Sequence, residues 1–172
     1  DRLYVTRNNL VGLMPEILGS LLPEQLSALG NVNLQGDIEL TKRTLDTNVH
    51  ILTSIGKGIA IVEIENLDNP DKAAYKGNVI LDQFDLGEFI NNHNFGVTSL
   101  NLDIDGVGFN QKSLNTSVKG DVFSFVFNKY KYTGLAVDGF MKMPYYRGLV
   151  HSQDPNLKLD FNGVIDLSAE VK

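Results

Sequence analysis

The segment Val32-Asn33-Leu34-Gln35-Gly36-Asp37-Ile38-Glu39-Leu40 alternates without a fault. Apolar residues or glycine hold every even position and polar residues every odd one. A period of two places successive side chains on opposite faces of an extended backbone, so this segment predicts a strand with one dry and one wet face. The pattern recurs at Leu45 to Thr53, Ala73 to Leu81, Leu100 to Ile104, Leu114 to Val122, Leu135 to Met143 and Leu157 to Leu167. Shorter candidates lie at Ile59 to Ile64, Tyr130 to Thr133 and Tyr145 to Val150, for about ten strands in all. The turn-rich links between them, such as Asn66 to Asp71, Asn110 to Ser113 and Ser152 to Asn156, are too short for parallel crossovers, which take about a dozen residues or more. The expected fold is all-β: a long, strongly curved, mostly antiparallel sheet.

Two stretches carry helical signals. In residues 15–29, Ile17, Leu18, Leu21, Leu22, Leu26 and Leu29 fall at helical intervals, with Pro23 expected to kink or split the helix. Around residue 88, Asp85 is placed to cap, Glu88 stands three residues later, and Phe84 and Phe89 are spaced as a hydrophobic staple, predicting about two helical turns. The chain therefore divides into a lead-in of residues 1–30 with a leucine-rich helix and a sheet of residues 31–172, which reads as part of a longer protein.

Six strands carry glycine on the apolar face: Gly36, Gly77, Gly106, Gly120, Gly139 and Gly163. Glycine costs backbone entropy in a strand and fills no space, so its recurrence needs a cause. One reading is that these glycines permit bulges and bends; the other is that they let the sheet curve and leave room for something apolar that is not protein. A dry face of this width, with little helical material to cover it, must fold over as a closed core or remain an open groove.

Chemistry is sparse by comparison. The chain of 172 residues has 42% hydrophobic content, a formal charge of −6, a pI near 5.0 and no cysteine. No basic cluster offers a footprint for phosphate backbones, which argues against a nucleic-acid partner, and thiol chemistry is excluded. His50, His93 and His151 lack metal-ligand spacing. No Gly-x-Ser-x-Gly elbow or P-loop occurs, and Gly56-Lys57-Gly58 is a dinucleotide fingerprint cut short, with Ile61 where its third glycine belongs. No enzyme, cofactor or metal is expected.

One stretch, NLDIDGVGFNQK from Asn101 to Lys112, begins like a calcium loop, with Asn101, Asp103, Asp105 and Gly106 in place. Its twelfth position is Lys112, a cation where a bidentate carboxylate is required. Alternation instead puts Asn101, Asp103 and Asp105 on the wet face of a strand. The aromatic run Val122 to Tyr132 turns apolar on both faces, as expected of a local core beneath a second layer or, alternatively, of a contact surface for another chain segment.

Taken in order, Asn31-Val32-Asn33-Leu34-Gln35-Gly36, Tyr75-Lys76-Gly77-Asn78-Val79, Asp82-Gln83-Phe84-Asp85-Leu86-Gly87, Leu102-Asp103-Ile104-Asp105-Gly106-Val107-Gly108, Tyr130-Lys131-Tyr132 and Asp154-Pro155-Asn156-Leu157-Lys158-Leu159-Asp160-Phe161-Asn162-Gly163 closely resemble the repeats of TamB-like proteins of the AsmA superfamily. The likeness runs over nearly the whole chain. It implies an envelope protein of Gram-negative bacteria, anchored in the inner membrane and reaching through the periplasm to a TamA-type outer-membrane partner. Such proteins are linked to outer-membrane protein assembly and to bridge-like phospholipid transport along an apolar groove. The family has no catalytic residues to carry over. This chain shows neither the membrane anchor nor a partner-binding end, so the resemblance implies an internal segment.

On that reading the groove is lined by Leu34, Ile38, Val49, Ile51, Val79, Leu102, Ile104, Val118, Val137, Met141, Leu159, Phe161 and Ile165, and would hold phospholipid acyl chains. A structural or adhesive β-domain with a closed core and no lipid ligand remains the alternative from the residues alone.

Overall fold

The computed structural model describes residues 28–110 and 112–166. Nine strands follow one another: β1 (Asn33–Leu40), β2 (Thr44–Thr53), β3 (Gly56–Glu65), β4 (Ala74–Asp85), β5 (Phe95–Val107), β6 (Asn115–Phe127), β7 (Tyr130–Lys142), β8 (Tyr145–Asp154) and β9 (Leu157–Asp166). One short helix, α1 (Leu86–Ile90), interrupts them between β4 and β5. The strands form a single antiparallel sheet whose spatial order is the sequence order, so each hairpin adds the next strand. The sheet does not close into a barrel: β1 and β9 are its two edges. Asp37 and Glu39 on β1, and Lys158 and Asp160 on β9, place charge along those edges, a device that discourages pairing with stray strands.

The strand count is nine because Tyr130 to Thr133 and Leu135 to Met143 are one strand, not two. Gly134 sits between them at φ +65°, and opposite it on β6 Phe123 is the extra residue of a bulge between Ser99 and Leu100 of the partner strand. That irregularity shifts the alternation by one position, which makes a continuous strand look like two patterns. The expected leucine-rich helix of residues 15–29 lies outside the described residues except for its end, where Ala28 is helical and Leu29 begins a turn.

Register carries the alternation across the sheet. Paired residues share a face, so the pairings trace rows perpendicular to the strands. One row runs Gly36, Val49, Ala60, Val79, Leu102, Gly120, Val137, Val150, Phe161. Three parallel rows start from Leu34, Ile38 and Leu40 and end at Leu159, Gly163 and Ile165. No charged residue stands in any of the four, and their polar groups are the hydroxyls of Thr47, Tyr75, Thr116, Tyr146 and Ser152. Most aliphatic side chains in these rows are half-buried. A half-buried Val or Leu contributes about 1 kcal/mol, against roughly 1.5–3 kcal/mol when fully buried.

The glycines have specific local causes. Gly36 and Gly120 adopt φ +144° and +146°, and a Cβ on either would run into a carbonyl oxygen of a neighbouring strand, that of Asn48 or Asn101. Only glycine accommodates both the conformation and the approach. Gly77 likewise faces the Ile61 carbonyl and Gly106 the Thr116 side chain, while toward β9 the chain's own aromatic rings lie beside the glycines. Tyr146 covers Gly139 and Gly148 while donating its hydroxyl to the Leu149 carbonyl at 2.9 Å, and the Phe161 ring reaches to 3.1 Å of where a Gly163 Cβ would be. Burial, and secondarily the Asp138 charge, raises the Tyr146 pKa.

Helix α1 forms as its sequence predicts. Asp85 accepts the Glu88 N–H at 3.1 Å, and Phe84 meets Phe89 edge to face at 5.5 Å between ring centres. The reciprocal half of a capping box is not used, because the Asp85 N–H goes to the Ile55 carbonyl at 2.7 Å. The helix is five residues long, shorter than two turns, and Asn91 ends it in the left-handed region at φ 53°.

Candidate functional site

All thirteen residues expected to line a groove fall on one face, distributed over the four rows: Leu34, Ile51 and Leu159 in the first; Val49, Val79, Leu102, Val137 and Phe161 in the second; Ile38, Ile104 and Val118 in the third; Met141 and Ile165 in the fourth. The same face also carries Gly36 and Gly120 in the second row, Gly77, Gly139 and Gly163 in the third, and Gly106 in the fourth. Within the third row Gly139, Gly148 and Gly163 pair in succession, so this face is lowest toward β9 except where Tyr146 and Phe161 lie across it.

Sequence reasoning missed the contribution of β3 to this face. Gly58, Ala60, Val62 and Ile64 belong to it, whereas Ile59 and Ile61 point the other way. In Ile59-Ala60-Ile61-Val62 apolar residues stand at both parities, so no alternation fixes the phase; only pairing with Val49 and Val79 does. Val150 and Tyr146 of β8 were likewise legible only through their partners Val137 and Met141.

The aromatic run continues this face by a different construction. Thr98, Phe125 and Tyr132 are paired in register, and Phe125 and Tyr132 stack with ring centres 5.0 Å apart. Phe95 meets Phe127 at 5.0 Å. Phe84 and Thr98 are buried, at 7% and 2% exposed, and α1 packs against β5 beside them. A small local core thus closes the far ends of β4–β7.

The opposite face carries a ladder of polar pairs interspersed with exposed apolar side chains, Ile61, Phe140, Leu149 and Val164 among them. Asn78 donates to Asn101 at 2.7 Å and to Asp103 at 2.9 Å, while Asp105 pairs with Lys76 at 3.2 Å and Lys119 with Asp138 at 2.8 Å. The residues that open the calcium-like stretch are therefore engaged with neighbouring strands. His50 stands on this face as expected, in a shallow depression with Leu52, Lys57, Ile59, Ile80 and Asp82. His151 contacts its cross-strand partner Asp160 and Gln153. Among the described residues no group of His, Asp or Glu is placed to hold a metal ion, and no helix is long and apolar enough to cross a membrane.

The most constrained polar group is Asp154, 1% exposed at the end of β8. Its carboxylate accepts from the Tyr130 hydroxyl (2.9 Å), the Thr133 N–H (2.9 Å) and hydroxyl (3.2 Å), and the Asn156 N–H (2.9 Å). Burial pushes its pKa up, but these bonds outweigh that and hold it below the ordinary carboxylate value. Asp154 clamps the start of β7 to the β8–β9 turn and is a structural group.

Set against models of protein families, curated proteins and solved structures, the chain matches none of them. The likeness to TamB-like proteins therefore rests on the residues quoted above.

Proposed function

We propose that this chain is a segment of a periplasmic lipid conduit of the TamB-like kind, in which the apolar face carries phospholipid acyl chains between inner and outer membranes. The observation that supports this reading is the set of four rows crossing all nine strands without a charged residue, on a sheet that stays open. At ~4.8 Å between strands such rows extend over about 40 Å, longer than one acyl chain, so a lipid would meet no charge along its path. In the full protein the face forms the inner side of a curved half-pipe, head groups stay in water at its open side, and the opposite face forms the outer wall. Transport along it is passive. Membrane anchoring, contact with a TamA-type barrel and support of outer-membrane protein assembly belong to the whole envelope protein.

The test is lipid capture. A photocrosslinking residue at Leu102 or Val137, introduced in bacteria expressing the protein, is expected to trap phospholipid, and native mass spectrometry of the purified chain to show bound lipid that Ile104→Asp or Val137→Asp removes. Absence of lipid at both positions, with a folded protein, rejects the conduit in favour of a structural β-domain.

A further inference from the structure

The two edges of the sheet are built differently. β1 is eight residues long, holds Gly36 at φ +144°, and carries Asp37 and Glu39 with no cation, so a second β1 laid against it brings only like charge. The ten residues of β9, LKLDFNGVID, pair with β8 at every position without a bulge and include no proline. Its charges are of both signs, Lys158 with Asp160 and Asp166. Large apolar side chains look to solvent on this edge and beside it: Val164 is 53% exposed, Leu149 48% and Ile165 37%. A regular, partly apolar edge of this length is a template for another strand, and its charges decide which strand fits.

The spacing on β9 fits β9 itself. Two such strands related by a two-fold axis normal to the sheet run antiparallel with their dry faces on the same side. With Asn162 of each copy meeting at the axis, all but the first of the ten residues are paired. On the wet side Lys158 then stands opposite Asp166 of the second copy, once at each end, and the two Asn162 amides face each other. On the dry side Leu159 faces Ile165 of the second copy, and Phe161 faces its Gly163, where the missing side chain leaves room for the ring. Moving the axis to Phe161 pairs as many residues but sets Lys158 against Val164, and moving it to Asp160 sets that carboxylate against itself.

We propose that β9 is a self-pairing edge, through which two copies of this chain join antiparallel, in the register centred on Asn162, into one continuous sheet with nine strands from each copy. The apolar rows run across the junction, and no charge enters the dry face there. Self-pairing needs no lipid and is independent of whether the dry face carries any.

Sedimentation equilibrium of the 172-residue chain is expected to show a reversible monomer–dimer equilibrium. Lys158→Glu, which sets like charges against each other at both ends, should weaken the dimer roughly tenfold, and adding Asp166→Lys, which restores both pairs in reverse, should recover it. Because the chain has no cysteine, single cysteines report the register. Asn162→Cys should link two copies under mild oxidation or with a short bis-maleimide, and Gln35→Cys on the β1 edge should not. A parent chain that stays monomeric at about 1 mM overturns the proposal, as does a Lys158→Glu chain that dimerises like the parent, a reversed pair that recovers nothing, or equal linking at Gln35 and Asn162. Should a charge variant lose the strand signal in circular dichroism, the cysteine comparison decides. None of these readouts involves lipid, so failure here and failure of lipid capture are separate results.

Discussion

Strands β4 to β7 run through two regions built on different principles. Toward one end their residues belong to the registered rows, where Val79, Leu102, Val118 and Val137 are half-buried and face no second layer among the described residues. Toward the other end three register shifts, a short helix and a cluster of aromatic rings enclose Phe84 and Thr98 almost completely. The contrast shows how one sheet can be stable and still keep an apolar face available. Cohesion is concentrated where rings pack and where polar groups such as Asp154 clamp neighbouring hairpins, and the rows are left free of that duty.

Truncations should separate the two regions most sharply. Phe84→Ala, which removes a buried ring packed on Phe89, is expected to cost about 3–4 kcal/mol, whereas Leu102→Ala in the rows should cost about 1–1.5 kcal/mol. Urea denaturation of both variants checks this, and equal losses would remove the distinction. Gly120→Ala should come next, at roughly 2–3 kcal/mol, because the substitution forces a strained φ and an overlap with the Asn101 carbonyl. A loss no larger than at an ordinary strand position would show that backbone approach is not what selects glycine there.

The Asp154 clamp gives a prediction in pH. Its folded pKa lies below the ~3.9 of an unfolded aspartate, so its stabilisation is complete above about pH 4 and is lost as the pH falls through the folded value. Asp154→Asn should lower Tm by several degrees at neutral pH, and the gap to the parent should narrow as the pH is lowered. Asp71, whose pKa is lowered by hydrogen bonds from Asn110 and Ser113, titrates in the same window, so the difference between the two proteins, not the parent curve alone, isolates Asp154. A gap that stays constant with pH would mean the charged form of Asp154 contributes nothing. The smallest effect is expected at the β6–β7 turn, where Asn128 and Lys129 take φ 47° and 69° as a two-residue hairpin of mirrored twist demands. Lys129→Gly should stabilise the protein by about 0.5–1 kcal/mol.

Much of this architecture is legible in the residues because hydrophobic alternation and short turns are local signals. Val32 to Leu40 declares its faces without reference to anything else, and the Asp85 cap with its Phe84–Phe89 staple is written within six residues. What escaped depends on distant partners. The phase of Ile59 to Val62 is fixed only by β2 and β4, and the continuity of β7 through Gly134 only by the matching bulge in β6. Asp154 looks like an ordinary turn residue until Tyr130 and Thr133, more than twenty positions earlier, are brought to it. For the candidate site, membership of the face could be read, since it follows from parity; the rings that lie over its glycines could not, since Tyr146 crosses to Gly139 on another strand.

Because spatial order follows sequence order throughout, every described strand is hydrogen-bonded only to the strands just before and after it in the chain. Stability in such an arrangement approximates a sum over adjacent pairs, as in repeat proteins. Hairpins can then be gained or lost at either end without disturbing those in the middle, opening should begin at β1 and β9 and travel inward, and a pull on the termini should peel strands away one after another instead of breaking a single cooperative core.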